Sequence, residues 1–157
     1  MNLIRHLNPR APITTPAEAR DAGRASAVAM FIGAGVWLIS VWRMLKDKTD
    51  LIGQGREVME ALQSGAGVAV TGELYFNAIV GIAVGLAALQ VVLGLVQWAR
   101  PNAVLPIVFL VLTAYGLATP LVGLATGAPG VPFDGVFLVT YGLLIVQALL
   151  HVSGLRG

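Results

Sequence analysis

The sequence predicts an all-α, polytopic membrane protein with four transmembrane helices in an antiparallel bundle. The 157-residue chain is 57% hydrophobic and 11% charged, whereas soluble domains carry about 25% charged residues. Four stretches contain no Asp, Glu, Lys or Arg, and each can cross a hydrocarbon core that takes about 20 residues of helix. These stretches are residues 25–42, 74–99, 101–133 and 135–155.

The segment before the first stretch, residues 1–24, is predicted to be a basic, polar leader. Three prolines and four arginines interrupt it, so it lacks the apolar run of a cleavable signal peptide. Thr15 and Pro16 predict a helix start, with Thr15 as the N-cap and Pro16 at the first helical position. A helix from there can run into the first span, drawn over residues 25–45.

Residues 25–157 are predicted to form a single transmembrane domain. The three later spans are expected at about residues 74–99, 102–126 and 135–155. Residues 46–73 form the one sizeable loop, in which residues 56–62 have helical propensity. This short amphipathic helix is expected to lie on the membrane surface or to serve as a solvated connector.

Prolines and one acid indicate where the third and fourth spans begin and bend. Residues 100–102 predict a tight turn between the second and third spans. Pro106 lies in the first turns of the third span, where a missing N–H costs little, and the deeper Pro120 is predicted to kink or end the helix. Asp134 is predicted to cap the fourth span, because acids are favoured at helix N-termini.

Basic residues outside the spans predict the orientation of the chain in the membrane. With four spans, both termini and the connection between spans two and three share one side. That side carries six Lys and Arg residues, against four on the opposite side. The positive-inside rule therefore predicts cytoplasmic termini in a bacterial inner membrane. Basic residues at span edges serve orientation, so nucleic acid is not expected as a partner.

The second span carries small or polar residues on two opposite faces. One face has Asn77, Gly81 and Gly85, and the other has Gln90, Gly94 and Gln97. Small residues let helices approach closely, and polar residues in lipid need partners. A helix with two such faces is predicted to occupy the centre of the bundle or to join the bundle to another protein.

Two glutamines and one histidine carry most of the remaining information. Gln90 and Gln147 lie near the middles of their spans, where an unpaired amide is costly. They are expected either to hydrogen-bond as packing contacts or to line a polar pocket or conduction path. His151 lies one turn from a helix end and is expected to be an interface residue rather than a ligand. The other histidine, His6, is in the leader, so paired axial ligands for haem are not predicted.

The absences in the sequence exclude several classes of function. The chain has no cysteine, so disulfides and thiolate metal sites are excluded. No Asp, Glu, Lys or Arg lies inside a span, although ion-coupled transporters typically place one there. An enzyme acting on lipid would need chemistry at Glu73, Asp134 or His151 and is the least favoured class. We therefore expect no enzymatic activity, no cofactor and no metal.

The expected function is association within the membrane. The protein would be an accessory or scaffold subunit, or a homo-oligomer, whose partners are the lipid bilayer and other membrane subunits or copies of itself. The alternative is a small uncoupled transporter or channel for a neutral or hydrophobic solute. Such a path would be lined by Asn77, Gln90, Gln147 and His151.

Overall fold

The computed structural model describes residues 3–8, 10–63, 71–126 and 134–156. Within these ranges the chain forms helices and no strand. They are α1 (Leu3–His6), α2 (Pro16–Lys46), α3 (Lys48–Gln63), α4 (Gly72–Ala99), α5 (Val104–Thr126) and α6 (Gly135–Gly154). Four of them, α2, α4, α5 and α6, are long and apolar enough to cross a membrane. The predicted all-helical architecture with four spans is confirmed.

Helix α2 begins with a capping box. The Thr15 hydroxyl accepts a hydrogen bond from the backbone N–H of Glu18, and the Glu18 carboxylate accepts one from the backbone N–H of Thr15, both at 3.2 Å. Pro16 follows as the first helical residue, so both sequence predictions for this helix start are confirmed. The helix therefore begins inside the segment drawn as a leader, and the division into leader and membrane domain stays a prediction.

Helix α2 is the central helix of the bundle, because it packs against both α4 and α6. Ala25, Ser26 and Ala27 are consecutive and all fully buried. Consecutive helical residues point in different directions, so neighbours surround much of this helix. The expectation that the second span occupies the centre is wrong. The sequence did not reveal this because alanine suits a lipid-facing surface as well as a close helix contact.

The remaining spans are arranged around α2. Helices α4 and α6 both pack against α2, while α5 packs against α6. The turn joining α4 to α5 is tight, and the Asn102 side-chain oxygen starts α5 by accepting from the N–H groups of Val104 and Leu105, each at 3.1 Å. Pro120 lies inside α5, which continues to Thr126.

Helix α3 folds back against the start of α4. A side chain at the buried Gly55 would meet the Tyr75 ring, whose Cγ lies 3.1 Å from the Cβ position. The Lys48 ammonium lies 5.5 Å from the centre of the Phe76 ring. The helix is longer than the predicted segment 56–62, and the side chains from residue 58 to its end lie outside the described part. Its described part contacts the start of α4, and the choice between a surface helix and a solvated connector stays a prediction.

At the same end of the bundle, where α2 ends, Asp134 starts α6 as predicted. Its carboxylate accepts a hydrogen bond of 2.7 Å from the backbone N–H of Phe137. The same carboxylate pairs with Arg43, near the end of α2, at 2.9 Å. Asp134 therefore caps α6 and also ties it to α2.

Candidate functional site

Polar side chains form three layers along α2, and the first lies at Gly33. A Cβ at position 33 would lie 2.7 Å from Gln147 Nε2 of α6, and closer still to Gln90 Oε1 of α4. The missing side chain at Gly33 thus makes room for both amides. Three helices meet here, and the two mid-span glutamines share one space.

The glutamine layer is incompletely hydrogen-bonded. The side-chain oxygens of Gln90 and Gln147 are buried, and neither has a hydrogen-bond partner within the described chain. A buried amide oxygen without a donor costs about 1–3 kcal/mol. This layer therefore offers two hydrogen-bond acceptors to any small donor that reaches it.

The second layer pairs His151 of α6 with Ser26 of α2. The Ser26 hydroxyl and His151 Nδ1 are 2.8 Å apart and hydrogen-bonded, and the histidine side chain is fully buried. Phe109 of α5 stacks on the imidazole at 5.8 Å between ring centres. His151 therefore packs between helices, and its expected place at the membrane interface stays a prediction. The serine on the facing helix makes burial possible by satisfying one ring nitrogen, while Nε2 has no partner among the described residues.

The third layer fixes the α4–α5 turn to α2. The fully buried Gln97 donates from Nε2 to the carbonyl oxygens of Gly23 at 3.3 Å and of Asn102 at 2.9 Å. The N–H of Asn102 donates back to the Gln97 side-chain oxygen at 3.3 Å. A Cβ on Gly23 would lie 2.6 Å from Pro101 Cβ. The α2 backbone at Gly23 therefore contacts the α4–α5 turn so closely that a side chain would not fit between them.

The structure places the residues singled out by the sequence on two separate surfaces. Gln90, Gly94, Gln97, Gln147 and His151 point into the bundle, where a Cβ on Gly94 would lie 2.7 Å from the Phe31 ring. Asn77, Gly81 and Gly85 lie on the outward face of α4. A Cβ on either of these glycines would meet no heavy atom within 4 Å. Asn77 therefore does not share a path with the two glutamines and the histidine.

Several contributors to these layers were not identified from the sequence. Gly23 and Phe31 were not singled out, and Asn102 was recognised only as part of a turn, because their contacts depend on which helices meet. The concentration of Ala, Gly and Ser among residues 22–29, where they occupy every position except 24 and 28, was a usable signal for the buried side of α2. Among the residues the structure describes, no group of three or more His, Cys, Asp or Glu side chains could hold a metal ion.

The outer surface of the helices defines the class of protein. Large apolar side chains are exposed on α4 and α5, including Ile82, Leu95, Val111 and Tyr115. Soluble monomers rarely expose contiguous apolar patches of this kind, whereas lipid tails cover such a surface. The chain is a multi-pass integral membrane protein. Comparison with family models, curated proteins and solved structures finds no match.

Proposed function

We propose that this protein acts by association within the membrane, as a homo-oligomer or as an accessory or scaffold subunit. The observation that carries the proposal is the outward face of α4. Gly81 and Gly85 lie one turn apart there with open space beyond their Cα atoms. The face has no neighbour among the described helices, although its residue types are those of a helix contact.

Asn77 supports the same face as a contact surface. It lies one turn before Gly81 and is exposed, and its side chain makes no hydrogen bond within the described chain. An amide that faces lipid lacks donors and acceptors, so a partner that supplies them is favoured. A second copy of α4 can do so, because a two-fold axis brings the same face and the same asparagine opposite each other. Self-association is therefore the first form of the proposal to test.

The test replaces both glycines, as Gly81→Ile/Gly85→Ile. Two branched side chains would hold a partner helix away, because close approach depends on small residues. We expect the oligomer, or the complex with a co-purified subunit, to be lost. Mild-detergent purification followed by native mass spectrometry would measure it.

Gly142→Ile is the matched control on α6. Gly142 is also exposed, and a Cβ there would also meet nothing within 4 Å, but no exposed polar residue like Asn77 lies one turn away on its face. This variant should assemble as the wild type does. Unchanged mass and partners in the α4 double variant would refute association through this face.

We further propose a bacterial inner membrane as the location, with both termini in the cytoplasm. The excess of basic residues on the side of the termini supports this orientation. The lipid bilayer is one partner in this proposal, and other membrane-protein subunits or further copies are the others.

A small uncoupled transporter for a neutral solute is the second candidate function. The two buried amide oxygens at Gly33 favour it, because unpaired acceptors in a membrane can bind a hydroxyl or amide donor. Of the residues expected along such a path, Gln90 and Gln147 meet and His151 lies one turn further along α6. Asn77 is on the outer face of α4 and is therefore not part of this transport path.

Glycerol permeation tests this second candidate. Proteoliposomes would be shrunk osmotically with glycerol, and light scattering would follow their recovery. If the protein conducts glycerol, the vesicles should recover their volume faster than empty liposomes. The variant Gln90→Leu/Gln147→Leu should slow this recovery. Recovery that is fast and unchanged in the double variant would refute this path.

A further inference from the structure

A half-enclosed cavity of about 580 Å³ lies between the start of α2 and the α4–α5 turn. Its polar lining comes from Arg20 and Arg24 on α2 and from Arg100 in the turn, while Pro101 and short apolar side chains complete the wall. This volume is within the usual range of small-molecule sites, about 300–1,000 Å³. The cavity lies away from the outward face of α4 and from the glutamine layer.

Three arginines line one cavity, and no acid lines it among the described residues. Arg20 and Arg100 make no ion pair within the described chain, and Arg24 Nε is buried with no hydrogen-bond partner. Glu18 is on the same helix, but Arg5 and Thr14 occupy its carboxylate. Like charges that line one cavity repel one another, and an anion bound between them relieves this repulsion.

The cavity is held open by the third polar layer. Gln97 bonds both the Gly23 carbonyl and the Asn102 carbonyl, so the turn that carries Arg100 is fixed relative to α2. The Arg24 guanidinium lies over the Trp98 ring, 5.6 Å from its centre. The aromatic face limits where this side chain can point. The Gln97 hydrogen bonds and the Trp98 ring thus restrict the positions of Arg100 and Arg24.

We propose that this cavity binds the phosphate group of an anionic ligand, with an anionic phospholipid headgroup as the favoured source. Arginine presents a planar fork of donors that matches phosphate oxygens. Trp98 is half-exposed near the end of α4, as is typical of the headgroup level. Exposed Leu95, one turn before Trp98, offers a surface for acyl chains. A soluble phosphate ester has the same binding chemistry but gains nothing from these apolar neighbours.

The experiment measures phosphatidylglycerol bound to the purified protein by native mass spectrometry, with phosphatidylcholine as the zwitterionic comparison. We expect phosphatidylglycerol to be retained more strongly. Arg24→Gln and Arg100→Gln should each weaken it about tenfold, because hydrogen bonds to charged groups are worth at least that factor. Arg10→Gln is the control, since Arg10 is exposed in the N-terminal segment and does not line the cavity. Equal binding by all three variants would overturn the proposal.

A second arm distinguishes the two sources of phosphate. Glycerol 3-phosphate would be titrated without lipid. Binding that depends on Arg24 and Arg100 would identify a soluble ester as the ligand. Binding of phosphatidylglycerol alone would identify the lipid headgroup. Either result supports a phosphate site.

A fluorescence measurement keeps the proposal testable even if the arginine variants do not fold. Trp37→Phe/Trp42→Phe leaves Trp98 as the only tryptophan and retains all three arginines. Phosphatidylglycerol should change the Trp98 emission, because the ligand engages the guanidinium that lies over the ring. An emission that is the same in phosphatidylglycerol and phosphatidylcholine would overturn the proposal.

Discussion

At the scale of single residues, the glycines that the structure describes fall into two groups by what a side chain would meet. At Gly81, Gly85 and Gly142 a Cβ would enter open space. At Gly23 and Gly33 it would meet atoms of a neighbouring segment within 3 Å. The neighbours differ in how they can respond. The glutamine ends at Gly33 can rotate, whereas the proline ring facing Gly23 belongs to a turn held by Gln97.

Gly23→Ala is therefore expected to destabilise the protein. Overpacking of a close contact costs about 1–3 kcal/mol, and Pro101 Cβ would be only 2.6 Å from the new methyl group. Unfolding in mixed micelles with increasing SDS would measure the loss of free energy. Gly142→Ala is the control and should show no loss. Equal stability of the two variants would mean that α2 and the turn are not in close contact.

The Ser26–His151 pair should show a measurable coupling energy. Hydrogen bonds between membrane helices average about 0.6 kcal/mol and reach about 1.7 kcal/mol, and this one is 2.8 Å long and buried. A double-mutant cycle with Ser26→Ala and His151→Phe isolates it, since phenylalanine can keep the stacking on Phe109. Strictly additive effects of the two substitutions would show that the pair does not stabilise the helix contact.

At the scale of the elements, the helix starts follow local rules and the helix contacts do not. Thr15 and Asp134 cap α2 and α6 as the sequence predicts, because an N-cap depends only on the next three residues. The central position of α2 depends instead on residues far apart in the chain, such as Ser26 and His151. From the sequence, α4 was expected either to take that position or to join the bundle to another protein. Its two small-residue faces are one packed face and one outward face.

Thr15→Ala should loosen the first turns of α2 without unfolding the bundle. Loss of an N-cap costs about 0.5–2 kcal/mol, and the effect is local because the buried part of α2 begins only at Ala22. Hydrogen exchange of residues 16–21 should accelerate, while exchange within α4 stays unchanged. Thr119→Ala is the control, because Thr119 bonds only a carbonyl inside its own helix. No change in exchange at the start of α2 would argue against the capping box.

At the scale of the whole molecule, the protein is a bundle whose buried core is rich in alanine and also holds Met30, Phe76 and Leu150. Many other large apolar side chains, such as Leu89 and Val111, are exposed on the outside. This distribution is the one expected where lipid replaces water, because lipid tails provide no drive to bury large apolar groups. The polar layers run along α2, and the arginine-lined cavity lies at the end of the bundle where α2 begins.

Single-cysteine labelling tests the proposed orientation. The chain has no cysteine, so Asn8→Cys, Ala103→Cys and Thr49→Cys each introduce one exposed thiol. With cytoplasmic termini, a membrane-impermeant maleimide should label only Thr49→Cys in intact cells, and all three after lysis. Labelling of Asn8→Cys and Ala103→Cys in intact cells would reverse the orientation. Labelling of only one of these two would contradict four spans.

Much of the fold was predictable from the sequence, and much of the candidate site was not. The spans follow from the runs without charged residues, and the tight turn follows from Arg100, Pro101 and Asn102. Gln90 and Gln147 were recognisable as groups that need partners, but their meeting at Gly33 was not. The arginine cavity was also missed, because Arg20, Arg24 and Arg100 indicate orientation when they are considered one at a time.

By itself, the sequence determined that this protein lies in lipid and which of its segments span the membrane. Hydropathy is a local property, and a helix is the form in which an apolar segment satisfies its own backbone in lipid. Only the tertiary structure decided that α2 is central, that His151 is buried against Ser26, and that one glycine face of α4 has no neighbour among the described helices. The physical reason is that glycine and alanine suit lipid and helix contacts equally well, so their partners depend on where distant segments of the chain lie.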